Sequence, residues 1–97
     1  MGQSEICTEI CTEAVEKYGQ TLQLVVAIEE MAELTKELCK SIRTSIENRI
    51  AGVTEETADV EIMLEQLKII YGNRAEVDDV RDQKLQRLQR RINGDPD

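Results

Sequence analysis

Glu-Thr-Ala-Asp-Val-Glu-Ile-Met-Leu-Glu-Gln-Leu-Lys-Ile-Ile, residues 56–70, is the stretch on which the fold turns. Wound at about 100° per residue, it gathers Glu61, Glu65 and Lys68 into a solvated stripe and spreads Val60, Ile62, Met63, Leu64, Leu67, Ile69 and Ile70 over the remainder. This is an amphipathic helix with an anomaly. Glu56 and Asp59, three residues apart and so on one face, fall among Val60, Met63 and Ile70 rather than in the charged stripe. A carboxylate on an apolar arc is costly unless a cation or a basic partner meets it. Glu55 and Glu56 also have a simpler explanation, because acids in a first helical turn complement the macrodipole.

A second acidic cluster, Glu29-Glu30-Met31-Ala32-Glu33, lies on the preceding helix, where Glu30 and Glu33 share a face. On that helix Leu24, Val25, Ala27, Ile28, Met31, Ala32, Leu34, Leu38, Cys39 and Ile42 fill one half of the circumference. Glu29, Glu30, Glu33, Glu37, Lys36 and Lys40 fill the other, broken only by Val26. Taken alone, this helix reads as an apolar face turned inward and a charged face turned to water. If the two helices pack antiparallel, Glu30, Glu33, Glu56 and Asp59 converge. Like charges that close raise one another's pKa, and a divalent cation relieves them. An all-oxygen donor set suits Mg²⁺ or Mn²⁺. The chain has no histidine, which disfavours Glu-x-x-His di-iron bundles and imidazole-based zinc sites.

Working outward, residues 4–18 carry apolar side chains at 6, 7, 10, 11, 14, 15 and 18, the spacing of an amphipathic helix. Gly19 is expected to stop it, and Thr21 to cap a helix running to about Lys40 or beyond. Ile42, Ile46 and Ile50 suggest helical continuation, followed by a loop at 48–52. Thr54 is the expected N-cap of the next helix, ended by Gly72-Asn73. A fourth helix is expected over 76–92 with Val77, Val80, Leu85, Leu88 and Ile92 facing inward, and 93–97 as a frayed tail. The pattern describes an all-α chain: one small domain, a bundle of four main helices. With 97 residues and two aromatics, Tyr18 and Tyr71, such a bundle is expected to be completed by homodimerisation or homotetramerisation.

The net charge of −8 argues against nonspecific nucleic-acid or anionic-membrane binding. No run is long enough to span a bilayer and no signal-peptide pattern appears, so a cytoplasmic protein is expected. Cys7, Cys11 and Cys39 read as small buried hydrophobes. The fourth helix concentrates Arg74, Arg81, Lys84, Arg87, Arg90 and Arg91, half of the 12 cations. They either offset the dipole at a helix C-terminus or neutralise phosphate oxygens.

The pattern Glu29-Glu30-x-x-Glu33 followed by Glu56-x-x-Asp59 resembles the signature of the MazG-like all-α nucleoside triphosphate pyrophosphohydrolases. The likeness extends to Tyr18-Gly19, Gln23, Leu34, Val60 and the basic C-terminal helix, over roughly residues 15–92. The resemblance implies that Glu30, Glu33, Glu56 and Asp59 hold Mg²⁺, with Glu29 binding a second ion or orienting the water. It further implies that Lys84 and Arg87 contact phosphate, and that a nucleoside triphosphate is cleaved to the monophosphate and pyrophosphate, a nucleotide-pool housecleaning reaction. Gln66, two turns beyond Asp59, and Tyr18 are the candidates for the base. With no Gly-rich phosphate loop and no arranged Ser, His or Cys nucleophile, water remains as the attacking group. Two other readings stand beside this one: a phosphoribosyl-ATP pyrophosphohydrolase, and a non-catalytic acidic helical module with a structural cation site.

Overall fold

The computed structural model of this protein describes residues 2–44 and 50–95. Four helices follow one another: α1, Gln3–Tyr18; α2, Gln20–Arg43; α3, Ile50–Tyr71; and α4, Arg74–Ile92. No strand occurs among the described residues, so the fold is all-α.

Glycines set the helix ends. Gly19 has φ of 90° and closes α1 while opening α2. Its N–H donates to the Val15 carbonyl at 2.9 Å, and its own carbonyl accepts from the Gln23 N–H at 3.2 Å. A side chain is strained at that φ, which is why glycine stands there. One residue thus does the work expected of two, and Thr21 lies inside α2 rather than capping it. Gly72, at φ 60°, ends α3 as expected.

The start of α3 differs from expectation. Residues 45–49 lie outside the described residues, but Ile50, Ala51 and Gly52 are helical rather than part of a loop, and Thr54 is interior rather than a cap. Ile50 and Ala51 place no breaker before Gly52, and the Thr57 hydroxyl bonds back to the Val53 carbonyl at 2.7 Å, a helix-interior contact. Glu55 and Glu56 are therefore past the first turn, where the macrodipole gives them less support.

α2 and α3 pack antiparallel along a polar seam. The Gln23 Nε2 donates to Gln66 Oε1 at 2.7 Å, with both residues buried. Seven residues along, the Glu30 carboxylate meets that of Asp59, the two presenting oxygens within 4.8 Å of each other. Seven further, Glu37 lies over Gly52, where an added Cβ would stand 2.7 Å from Glu37 Oε2. On α2 the residues turned to this seam are Gln23, Ala27, Glu30, Leu34 and Glu37, all buried or half-buried. This rotates the helix from the expected orientation: Leu24, Ala27 and Leu34 are buried or half-buried as expected, but Val25, Ile28, Met31, Leu38 and Ile42, also expected inward, are exposed. Ala27, 1% exposed, lets the backbones approach, and the amide pair sets the register.

α1 packs against both α3 and α2, burying Cys11 and Val15. Cys7 is half-buried with its Sγ 4.0 Å from that of Cys11, whereas Cys39 is exposed, contrary to its reading as a buried hydrophobe. Glu65, expected in a solvated stripe, instead joins three helices. It accepts from the Thr8 hydroxyl at 3.1 Å and takes both terminal nitrogens of Arg74, one of them at 3.0 Å.

α4 leaves the body. Val80, Leu85, Leu88 and Ile92 are exposed rather than inward-facing, and no residue of α4 is buried. The radius of gyration is 16.4 Å, well above the roughly 12–13 Å of a compact chain this long. The sequence places charged residues at Arg81 and Lys84, in the middle of the helix's apolar face, so that face does not close on α3 along its length.

Gln66→Leu is expected to destabilise the fold by about 1–3 kcal/mol, because it strands the buried Gln23 amide. The pair Gln23→Leu with Gln66→Leu should recover most of the loss. Urea unfolding followed by helicity measures both.

Candidate functional site

The register set by Gln23 and Gln66 places the second polar layer of the seam at the acids. Glu30 of α2 and Glu56 and Asp59 of α3 each present a carboxylate oxygen to a common point, these atoms lying within 4.8 Å of one another. All three are half-buried. Glu56 Oε2 is shielded from water and has no hydrogen-bond partner among the described residues.

Two of the three acids hold their protons above the ordinary carboxylate range. Hydrogen bonding to Asp59, then burial and the Asp59 and Glu56 charges, push the Glu30 carboxyl up from 4.5 to about 7. Burial first, then the charges of Asp59, Glu33 and Glu55, raises Glu56 as well, against which its hydrogen bond with Glu30 acts. Three acids thus share one space, and a proton held between them relieves their repulsion. The donor set is all oxygen and one buried oxygen lacks a partner among the described residues, so these residues fit a hard divalent ion.

The other expected site residues distribute unevenly. Glu33 is exposed, one turn from Glu30, and near enough to Glu56 for its charge to act there. Glu29 is exposed on the neighbouring face of α2. Gln66 lies in the seam two turns from Asp59, but it is 4% exposed and its carbonyl is taken by Gln23. Tyr18 is exposed at the end of α1, with the Lys17 Nζ 5.6 Å from its ring centre. Lys84 and Arg87 line a shallow surface groove with Val80, Gln83 and Arg90, all residues of α4.

Sequence reasoning missed Gln23 as the partner of Gln66, Glu37 over Gly52, and the bridge from Thr8 through Glu65 to Arg74. A signal for the first two was present: Gln23, Glu30 and Glu37 recur every seven residues on α2, as do Gln66, Asp59 and Gly52 in reverse on α3. The third had none, since its residues are far apart in the chain.

No protein-family model, no curated protein and no solved structure matches this chain. No helix among the described residues is long and apolar enough to cross a membrane.

Because Glu30 binds its proton more tightly folded than unfolded, the native state holds more protons between about pH 4.5 and 7. Without divalent ions, stability should therefore rise as pH is lowered from 7 towards 4.5, and Glu30→Gln should flatten that rise. Glu65 works in the opposite sense: the Arg74 hydrogen bonds lower its pKa, so its stabilisation fades only below about pH 4.5. Mg²⁺ should raise the Tm more at about pH 7.5 than at about pH 5.5, where protons compete for the same oxygens. Thermal melts across this range, with and without Mg²⁺, check all three.

Proposed function

We propose that this protein is a Mg²⁺-dependent nucleoside triphosphate pyrophosphohydrolase, converting a (d)NTP to its monophosphate and pyrophosphate. The observation that carries the reading is the convergence of Glu30, Glu56 and Asp59 from two helices, with a shielded Glu56 oxygen that no other described group satisfies. The resemblance of the Glu29-to-Asp59 pattern to MazG-like enzymes supplies the reaction class.

Glu30, Glu56 and Asp59 would hold the ion, with Glu33 one turn away on the solvent side. When bound, Mg²⁺ offsets phosphate charge and makes water a better nucleophile at neutral pH. The protein's own contribution is to fix the acids: α2 and α3 are locked in register, so the carboxylates need little rearrangement on binding. Glu29, exposed on the neighbouring face of α2, would bind a second ion or orient the attacking water. Lys84 and Arg87 are the cations assigned to the triphosphate. In this reading Gln66 serves the seam first, and any contact to a base would use its amide nitrogen. Mn²⁺ is the alternative ion.

Pyrophosphate release from a panel of canonical and modified (d)NTPs tests the proposal. Release with Mg²⁺ or Mn²⁺ that falls at least about 100-fold in Glu56→Gln and in Asp59→Asn, helicity unchanged, is the expected result. Release indifferent to both substitutions overturns it. No release from any nucleotide, phosphoribosyl-ATP included, while Mg²⁺ still raises the Tm, assigns the cluster to a structural cation.

A further inference from the structure

α2 is apolar on the side that the chain does not cover. Thr21, Val25, Ile28, Ala32, Thr35, Cys39 and Ile42 recur at alternating steps of four and three, the spacing of a helix-pairing seam. All seven are exposed; Ile28 is 65% and Ile42 84% exposed, and Met31 and Leu38 widen the same stripe. The helix runs about 36 Å at 1.5 Å per residue over its 24 residues. A stripe of this length on so acidic a chain is an interaction surface.

Its charges identify the occupant. Glu29, Glu33, Lys36 and Lys40 all lie along one edge of the stripe, acids towards the N-terminus and lysines towards the C-terminus. Two helices related by a twofold axis across such a stripe run antiparallel, and the same edge of each meets the other. The edge is then its own complement, Glu29 facing Lys40 and Glu33 facing Lys36. The apolar rows close about the same point: Ile28 meets Ile42, Ala32 meets Leu38 and Cys39, and Thr35 meets itself. A parallel twofold pairing would instead set this charged edge against the opposite, apolar edge of Leu24, Met31 and Leu38, leaving its charges unmatched.

We propose that α2 pairs antiparallel with α2 of a second copy of this chain, the twofold axis passing beside Thr35. Each α2 is then sandwiched, its polar seam on α3 and its apolar stripe on the other copy. The inference rests on the stripe and its charges and is independent of the nucleotide reading.

Sedimentation equilibrium of the full chain is the first test. A reversible or stable dimer is expected, with Ile28→Asp giving monomers of unchanged helicity. Glu29→Lys and Lys40→Glu should each weaken self-association at least about tenfold, whereas an equimolar mixture of the two variants should associate as well as the wild type. Thr35→Cys made with Cys39→Ser should oxidise to a disulfide-linked dimer, and the wild-type Cys39, set well off the axis, should not. A chain monomeric at every concentration overturns the proposal. So does a dimer that survives Ile28→Asp, or one lost instead through Leu88→Asp on α4. Crosslinking of the wild type through Cys39, with none in the double variant, overturns the antiparallel register. If Ile28→Asp unfolds the chain, the charge-reversal mixture decides alone: association restored supports the pairing, and association not restored overturns it.

Discussion

A single buried hydrogen bond, from the Gln23 amide to the Gln66 carbonyl, fixes how α2 and α3 lie against each other. The rest of the molecule depends on that register. Each step of seven residues, about 10.5 Å along a helix, brings up another polar layer: amide on amide, then Glu30 on Asp59, then Glu37 over Gly52. An apolar seam tolerates small slips because its contacts are interchangeable. This one does not, since a slip would bury both amide side chains without partners and separate the carboxylates of Glu30 and Asp59. Small residues complete the constraint. Ala27 and Gly52 leave the space that the long polar side chains occupy.

Acids in an interface make a poor adhesive. Of the described residues that are fully buried, only Cys11, Val15, Ala27 and Met63 are hydrophobic, so little apolar burial offsets the repulsion among Glu30, Glu56 and Asp59. The seam tolerates this through the elevated affinity of Glu30 for a proton, its pKa reaching about 7. A proton and a divalent ion are alternative solutions to the same electrostatic problem, and near neutral pH the proton is the weaker one. On the proposed reading, the cluster is a place where the fold would give up stability for the capacity to bind a cation, a pattern expected at functional sites rather than in structural cores.

How far the sequence disclosed this depends on the helix. On α3 the conflict between Glu56 and Asp59 and their apolar neighbours was visible, and the structure turns those acids to the seam. On α2 the same logic was only partly right. Counting hydrophobic area placed Ala27 inward correctly but assigned Val25, Ile28 and Ile42 there too, whereas Gln23 and Glu30 are the residues buried or half-buried in the seam. Register is decided by specific pairings across the interface, and a wheel of one helix contains no information about its partner. Gly19 and Gly72 were legible because a positive φ has few substitutes, whereas Thr21 and Thr54 were good caps at positions where the helix had already begun. Glu65 looked solvated because Thr8 and Arg74, which engage it, belong to other helices.

The two faces of α2 carry one argument between them. A helix that buries Gln23, Glu30 and Glu37 while leaving Val25, Ile28 and Ile42 exposed is turned unfavourably for an isolated chain, and hydrophobic burial would favour rotating it by about a third of a turn. That rotation would break the Gln23 bond to Gln66 and carry Glu30 away from Asp59. It would also set the exposed stripe of α2 against a seam that holds Glu56 and Asp59. The observed orientation is therefore the one that keeps the site, and the exposed stripe is its consequence. The proposed antiparallel pairing with a second copy would recover the apolar burial that this orientation forgoes, with the charges along the stripe's edge matching themselves. Site and assembly then follow from one choice, the direction in which α2 faces.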